Sequence, residues 1–437
     1  MNDIPASVDA GFDAFVTFLE ERFGAASAGG RLVRDVFGRL SFIAPRSVPL
    51  EMVAAAEAAL PPELLRFLAP RSPLSVSSSP LASPLLEENG LRITAKGGTV
   101  YVLLDRRLAG DSWLTAPRDE ISAPPRIAFY GLKGGVGRST ALAVCAADLA
   151  SAGGSVLVLD LDLEAPGLES VLLRADRMPD YGVLDWLAAA TGGLEAAELV
   201  PDMVGGSPFT SGSGLVDVVP VAGKLTMDRP ETFLSKLARA YTPGAPSGEF
   251  VHKSFSEKIE CLIQQLAERR RYDAVLIDVR AGLHETSAAS LLGLGANVLL
   301  FGTNSPHTFS GYGILLATVR QAMESWIDAP ELRNRFRMVH GRANASADNA
   351  LFLSNSWQLW LDHLYDAVGD ELDADAFSFD LDDPSAPHYA LTIKASDAFV
   401  DFSPELNPDL LTPVGYGGAY AEVLSYVRDC AKLKAER

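Results

Sequence analysis

Val8, Phe12, Phe15, Val16, Leu19 and Phe23 recur at the spacing of one helical face, and the run ends at Gly24. From Leu50 to Leu68 the chain is rich in Ala and Leu but broken by Pro61-Pro62, which predicts two short helices. Ser75–Pro84 is dense in Ser and Pro and reads as a connector. Leu91–Leu104 alternates on either side of Lys96-Gly97-Gly98, the pattern of a β-hairpin. The three prolines of Ala116–Pro125 mark a linker.

Beyond Arg126 the rhythm changes. Short apolar runs at Arg126–Tyr130, Ser155–Asp160, Leu215–Val221, Ala274–Asp278, Asn297–Phe301 and Phe336–His340 predict strands buried on both faces. Helical stretches lie between them, among them Ala141–Ala152, Phe255–Arg270 and Thr308–Trp326. Strands separated by helices imply right-handed crossovers and a mostly parallel sheet flanked by helices. The expected architecture is therefore α/β over residues 123–437, with an N-terminal α+β accessory domain over residues 1–122.

The first predicted strand of the larger domain runs into Gly131-Leu-Lys-Gly-Gly-Val-Gly-Arg-Ser-Thr140, followed by a helix. A Walker A loop, GxxxxGK(S/T), uses glycine amides to cradle phosphates, a lysine to neutralise them and a hydroxyl to hold Mg²⁺. This loop departs from it twice, with Leu132 at the first glycine and Arg138 at the lysine. Lys96-Gly97-Gly98 repeats its first letters but lacks the later glycine, cation and hydroxyl, and reads as a structural turn. The second strand ends in Asp160-Leu-Asp162-Leu-Glu164, two carboxylates at the carboxyl end of a parallel strand, where open α/β sheets bind ligands. Tyr272-Asp273-Ala-Val-Leu-Ile-Asp278 has the form of a Walker B strand, apolar residues leading to an acid.

Together these residues resemble the deviant Walker A pattern, KGGxGK(S/T), of the ParA/MinD-type ATPases of the SIMIBI class of P-loop NTPases. The likeness covers residues 126–340 best and extends more weakly to about residue 430. KGGVGR, DLEAPGL and the IDxRxG form of Walker B together resemble one subgroup, which makes Arg138 a subgroup trait. The resemblance implies ATP and Mg²⁺ as cofactors, slow hydrolysis, and an ATP-dependent homodimer that signals to an unidentified protein partner. It gives Lys133 the role of reaching the partner's nucleotide, and gives the phosphates to Lys133, Gly134, Gly135, Val136, Gly137, Arg138, Ser139 and Thr140. Asp162 inherits the orienting of the attacking water. Ser139 inherits the metal, with Asp160 and Asp278 reaching it through water. Arg280 is open between stabilising γ-phosphate charge and pairing with an acid. Alternatives to the switch are an ATP-sensing module without useful hydrolysis and a ParA-like DNA-partitioning ATPase.

Charge narrows the choice of partner. The chain has 437 residues, with 37 basic against 56 acidic side chains and a formal charge of −19. That balance disfavours DNA and anionic membrane, because DNA affinity depends on neutralising phosphates. Arg333, Arg335 and Arg337 form a local basic cluster, either a DNA-contacting edge or, preferred here, a solvated face. The triple arginine Arg269–Arg271 reads as helix-dipole and salt-bridge chemistry. Three scattered cysteines, no signal-like N-terminus and no bilayer-length apolar run point to a cytoplasmic protein without disulfides or an iron–sulfur site. The sequence contains no GxSxG elbow and no HExxH pair. The final helix, Ala419–Lys434, carries too little apolar bulk for a membrane-binding helix and reads as core packing.

Overall fold

Gly24 ends the first helix, Val8–Phe23, as its periodicity predicts, and Ser7 caps its start by accepting a hydrogen bond from the Ala10 amide. The computed structural model describes residues 7–78, 82–107, 111–121, 123–210, 212–242, 253–326, 330–344, 346–367 and 376–433. Residues 79–81 of the Ser/Pro connector, Ser122 of the linker and Lys434 of the final helix lie outside them, as do Met1–Ala6. Two compact units are present: Met1–Ala116 with Gln321–Ala329, and Pro117–Arg320 with Pro330–Arg437.

In the first unit β1 (Arg31–Arg34), β2 (Leu40–Ala44), β3 (Leu74–Val76), β4 (Leu91–Thr94) and β5 (Val100–Asp105) form one sheet in the order β3-β2-β1-β5-β4. Its core gathers Phe15, Leu19, Phe42, Tyr101 and Leu103. The proline pair does end a helix, Leu50–Ala58, which is followed only by a 3-10 turn at Leu65–Phe67. β3 runs into the stretch read as a connector, ending at Val76. Three residues are too few to show an alternation, and the strand is made by pairing with β2. Lys96-Gly97-Gly98 turns the hairpin between β4 and β5, with Gly98 at φ +91°. The Gly97 and Thr99 amides there donate to the Glu20 carboxylate at 2.9 and 3.2 Å. The turn thus already holds an anion from its own unit, and those bonds lower the Glu20 pKa.

In the second unit β6 (Arg126–Gly131), β7 (Ser155–Leu161), β8 (Gly205–Gly206), β9 (Leu215–Val219), β10 (Ala274–Val279), β11 (Asn297–Gly302), β12 (Phe336–Ala343) and β13 (Leu391–Lys394) form an eight-stranded sheet. The order is β13-β12-β11-β6-β10-β7-β9-β8, and every pair is parallel except β8 with β9. The chain leaves β6 toward β7 on one side and later returns to β11 on the other, so a crevice opens at the carboxyl end of β6. Every residue of β6, β10 and β11 is buried, which is why their sequences run apolar without alternation. β13 was not anticipated, since four residues of mixed exposure carry little periodicity, and the helix Ser346–His363 is a further element beyond the sequence reading.

The last helix, Pro413–Ala431, buries Tyr416, Tyr420, Val423, Leu424 and Val427 in the core that also holds the helix Arg138–Ser151. Arg428 joins it to Asp148, only 1% exposed, through a bond from Nε of 2.6 Å. It is a core element. No helix among the described residues is long and apolar enough to cross a membrane. All three cysteines are free thiols.

Candidate nucleotide site

The loop after β6 is shaped by its glycines. Gly135 and Gly137 have φ of +78° and +89°, a region in which side-chain-bearing residues are strained, and Gly137 starts the helix Arg138–Ser151. A β-carbon on Gly134, Gly135 or Gly137 would meet nothing within 4 Å, so the loop is open on the side where an anion would lie. Behind it the fit is close: a β-carbon on Gly341 of β12 would overlap the Val136 carbonyl. Val136 is buried, whereas Lys133 is exposed and makes no hydrogen bond or ion pair among the described residues.

Register brings the carboxylates to this loop. Asp278 of β10 stands beside Asp160 of β7, and Phe129 of β6 flanks it on the other side. Ser139 Oγ donates to Asp278 Oδ2 at 2.7 Å. Arg138 turns inward, with Nη2 2.7 Å from Asp162 Oδ2 and Nε 2.6 Å from Asp278 Oδ1. The three side chains are 10%, 11% and 3% exposed respectively. Burial works against the guanidinium charge, but Asp278 and Asp162 outweigh it and hold Arg138 above its ordinary pKa. Asp160 accepts from the amides of Asp162 and Leu168 at 3.0 and 3.3 Å. Burial, then the Asp278 charge, pushes it well above the carboxylate range.

Beside this cluster lies a second one. Arg280 pairs with Glu164, the acid partner that one of its two sequence readings expected. Glu164 also accepts from the Tyr241 hydroxyl at 3.0 Å and lies 3.6 Å from His284 Nε2. Burial, reinforced by the Arg280 charge, lowers the His284 pKa. The loop bearing Arg280 is fixed to β6 by the Gly282 amide donating to the Gly131 carbonyl at 3.1 Å and by Tyr130 Oη donating to the Gly282 carbonyl at 3.1 Å. Glu164 stands two residues after Asp162 in sequence and was open to notice. Tyr241 carries no local signal, because only folding brings it to the loop.

Thr140 lines a small cavity of about 120 Å³ with Gly137, Arg342, Lys394, Asp397 and Tyr420. A wider groove between the helices Pro306–Ser325 and Ser346–His363 includes no residue of the loop. The basic cluster is neither a free edge nor a solvated face. Arg333 pairs with Glu331 and Asp366 and stacks over Phe377, and Arg335 is buried. Arg337 donates to the carbonyls of Pro384, Ser385 and Tyr389. Arg270 does meet an acid, Asp217, at 3.3 Å.

Hydroxyl and carboxylate oxygens converging at the end of β10 are the donor set of a hard divalent cation, and the amide cradle suits phosphate. The residues present therefore fit Mg²⁺ and a nucleotide. Among the described residues no group of three or more His, Cys, Asp or Glu is arranged to hold a metal by itself.

No family model matches the chain, and the curated proteins contain no significant relative. Solved structures do align with it. Its structural neighbours are ParA and MinD ATPases. ParA of pNOB8, solved bound to nonspecific DNA, is 15% identical, with 70% of this chain and 97% of that chain covered and a TM-score of 0.44. The ATP complex of a Cyanothece McdA variant is 14% identical over 72% and 100% of the two chains, at 0.43. The Pyrococcus furiosus cell division ATPase MinD is 19% identical over 71% and 100%, at 0.41.

Proposed function

We propose that the chain is a ParA/MinD-type ATPase that binds ATP with Mg²⁺, hydrolyses it slowly, and as a nucleotide-bound homodimer signals to a protein partner. In this reading residues 123–437 carry the switch and residues 1–122 are accessory. The observation that carries it is the open glycine loop at the carboxyl end of the central strand, with Ser139 already on Asp278 and Lys133 free at the rim. The amides of Gly134, Gly135 and Gly137 take the phosphates, and Arg138 and Thr140 adjoin them. Ser139 holds the metal, with Asp160 and Asp278 reaching it through water. Bound magnesium supplies positive charge against the phosphate oxygens. Asp162 orients the attacking water, and Lys133 reaches the partner's nucleotide. Partnering by protein rather than DNA follows from the charge of −19 and from the engaged state of Arg333, Arg335 and Arg337.

Light scattering with a non-hydrolysable ATP analogue and Mg²⁺ tests the switch. The mass doubles with the analogue in the wild type and stays monomeric in Lys133→Ala; an unchanged wild-type mass overturns the dimer.

A second reading, an ATP sensor without useful hydrolysis, is favoured by one observation: Asp162 is engaged by Arg138 and so not free to orient water. Phosphate release separates the two. Turnover lost in Asp162→Ala supports the enzyme, and nucleotide binding without turnover supports the sensor.

A further inference from the structure

The Arg138 guanidinium sits between Asp162 and Asp278, one nitrogen toward each. Asp278 is occupied on its other oxygen by Ser139. Arg138 Nε and Nη1 and Asp278 Oδ1 are buried in the same cluster without a hydrogen-bond partner, so the guanidinium meets Asp278 as an ion pair, hydrogen-bonds only Asp162, and has donor capacity to spare where the carboxylates meet. A planar guanidinium can serve two carboxylates at once, whereas a lysine ammonium is a single point charge on one nitrogen. We propose that Arg138 is an internal cation that holds Asp162 and Asp278 in the ligand-free protein, so that a divalent cation gains these carboxylates only by displacing the guanidinium. The geometry is a property of the ligand-free chain; the proposal rests on the nucleotide-binding reading only for what the carboxylates later serve. Two consequences follow. The ligand-free site already carries one compensating cation and so binds a metal ion weakly. Phosphate, which attracts a guanidinium, draws Arg138 off the carboxylates and so makes room for the cation: nucleotide and metal bind cooperatively.

Manganese, followed by the electron paramagnetic resonance signal of the free ion, probes this on the ligand-free protein. Arg138→Gln binds it at least about tenfold more tightly than wild type, the ratio that corresponds to losing one charge-assisted hydrogen bond. Arg138→Lys, which keeps the charge on one nitrogen, falls between them and carries the comparison if the glutamine variant does not fold. In Arg138→Gln/Asp278→Asn the gain disappears. Equal or weaker manganese binding in folded Arg138→Gln and Arg138→Lys overturns the proposal, and so does a gain that survives Asp278→Asn. Anisotropy of a fluorescent ATP analogue on the same proteins keeps the two readings apart. No nucleotide binding in any of them overturns the proposed function, while the manganese order alone decides the role of Arg138.

Discussion

Arg126 opens the strand that feeds the phosphate loop, and its side chain is 4% exposed. It is held by both oxygens of Glu260, itself 11% exposed, and by the Leu294 carbonyl at 3.0 Å. Arg118 adds a second cation to Glu260 at 2.8 Å. Glu260→Ala leaves Arg126 buried with one neutral acceptor, and orphaning a buried charge in this way costs about 3–5 kcal/mol. At ~2 °C per kcal/mol for a unit of this size, the melting temperature falls by on the order of 6–10 °C. The paired replacement Arg126→Met/Glu260→Leu removes both charges and restores most of the loss, because the cost lies in the unmatched charge rather than in a missing contact. pH supplies an independent check. Burial alone would raise the Glu260 pKa, but the Arg126 hydrogen bonds and charge, with Arg118, hold it below the ordinary value. A carboxylate depressed in the folded state contributes stability that is complete above its unfolded pKa, about 4.3, and is lost as pH falls through the folded value. The gap between wild type and Glu260→Ala therefore narrows in strong acid. Scanning calorimetry from pH 7 to 3 reads both effects. A shift under 2 °C at pH 7, or a double replacement no better than the single one, would refute the reasoning.

Other expectations are simpler to state. Gly341→Ala drives a methyl group into the Val136 carbonyl and abolishes nucleotide-analogue binding, whereas Gly134→Ala, facing open space, leaves the melting temperature within about 1 °C of wild type; equal effects from the two would refute the role of the close approach. His284, His340 and His388 all have pKa values lowered first by burial, so the unfolded chain takes up their protons more readily than the folded one. Their stabilising contribution is complete above about pH 6.5 and is lost as pH falls through the folded values, so melting temperatures decline below pH 6.5; a flat profile down to pH 5 counts against it.

The elements legible in the sequence were those whose environment is uniform along the chain. β6, β10 and β11 are buried on both faces, and their apolar runs mark them within one or two residues. The loop was legible because phosphate chemistry demands particular residues in consecutive order. What stayed hidden depends on pairs distant in sequence. Arg138 could be flagged as a departure, yet its engagement of Asp162 and Asp278 follows from the register of β7 beside β10. The cluster Arg333, Arg335 and Arg337 looked like a surface because charge usually is one; acceptors at Asp366 and at the carbonyls of residues 384–389 draw two of them inward. β13 and β3 are strands by virtue of a neighbour, and four or three residues cannot announce that alone.

The ion pair of Glu164 with Arg280 ties the segment after β7 to the segment after β10 across the mouth of the crevice. Since Tyr241 and His284 also meet at Glu164, one carboxylate gathers three separate stretches of chain. The two segments therefore do not report on a ligand independently. A group that recruits Arg280 must outbid Glu164, and in doing so loosens the acceptor of the Tyr241 hydroxyl. Linkage makes the relation symmetric: a protein that docks on the Tyr241 stretch and loosens Glu164 makes Arg280 available by the same free energy with which a ligand on Arg280 loosens Tyr241.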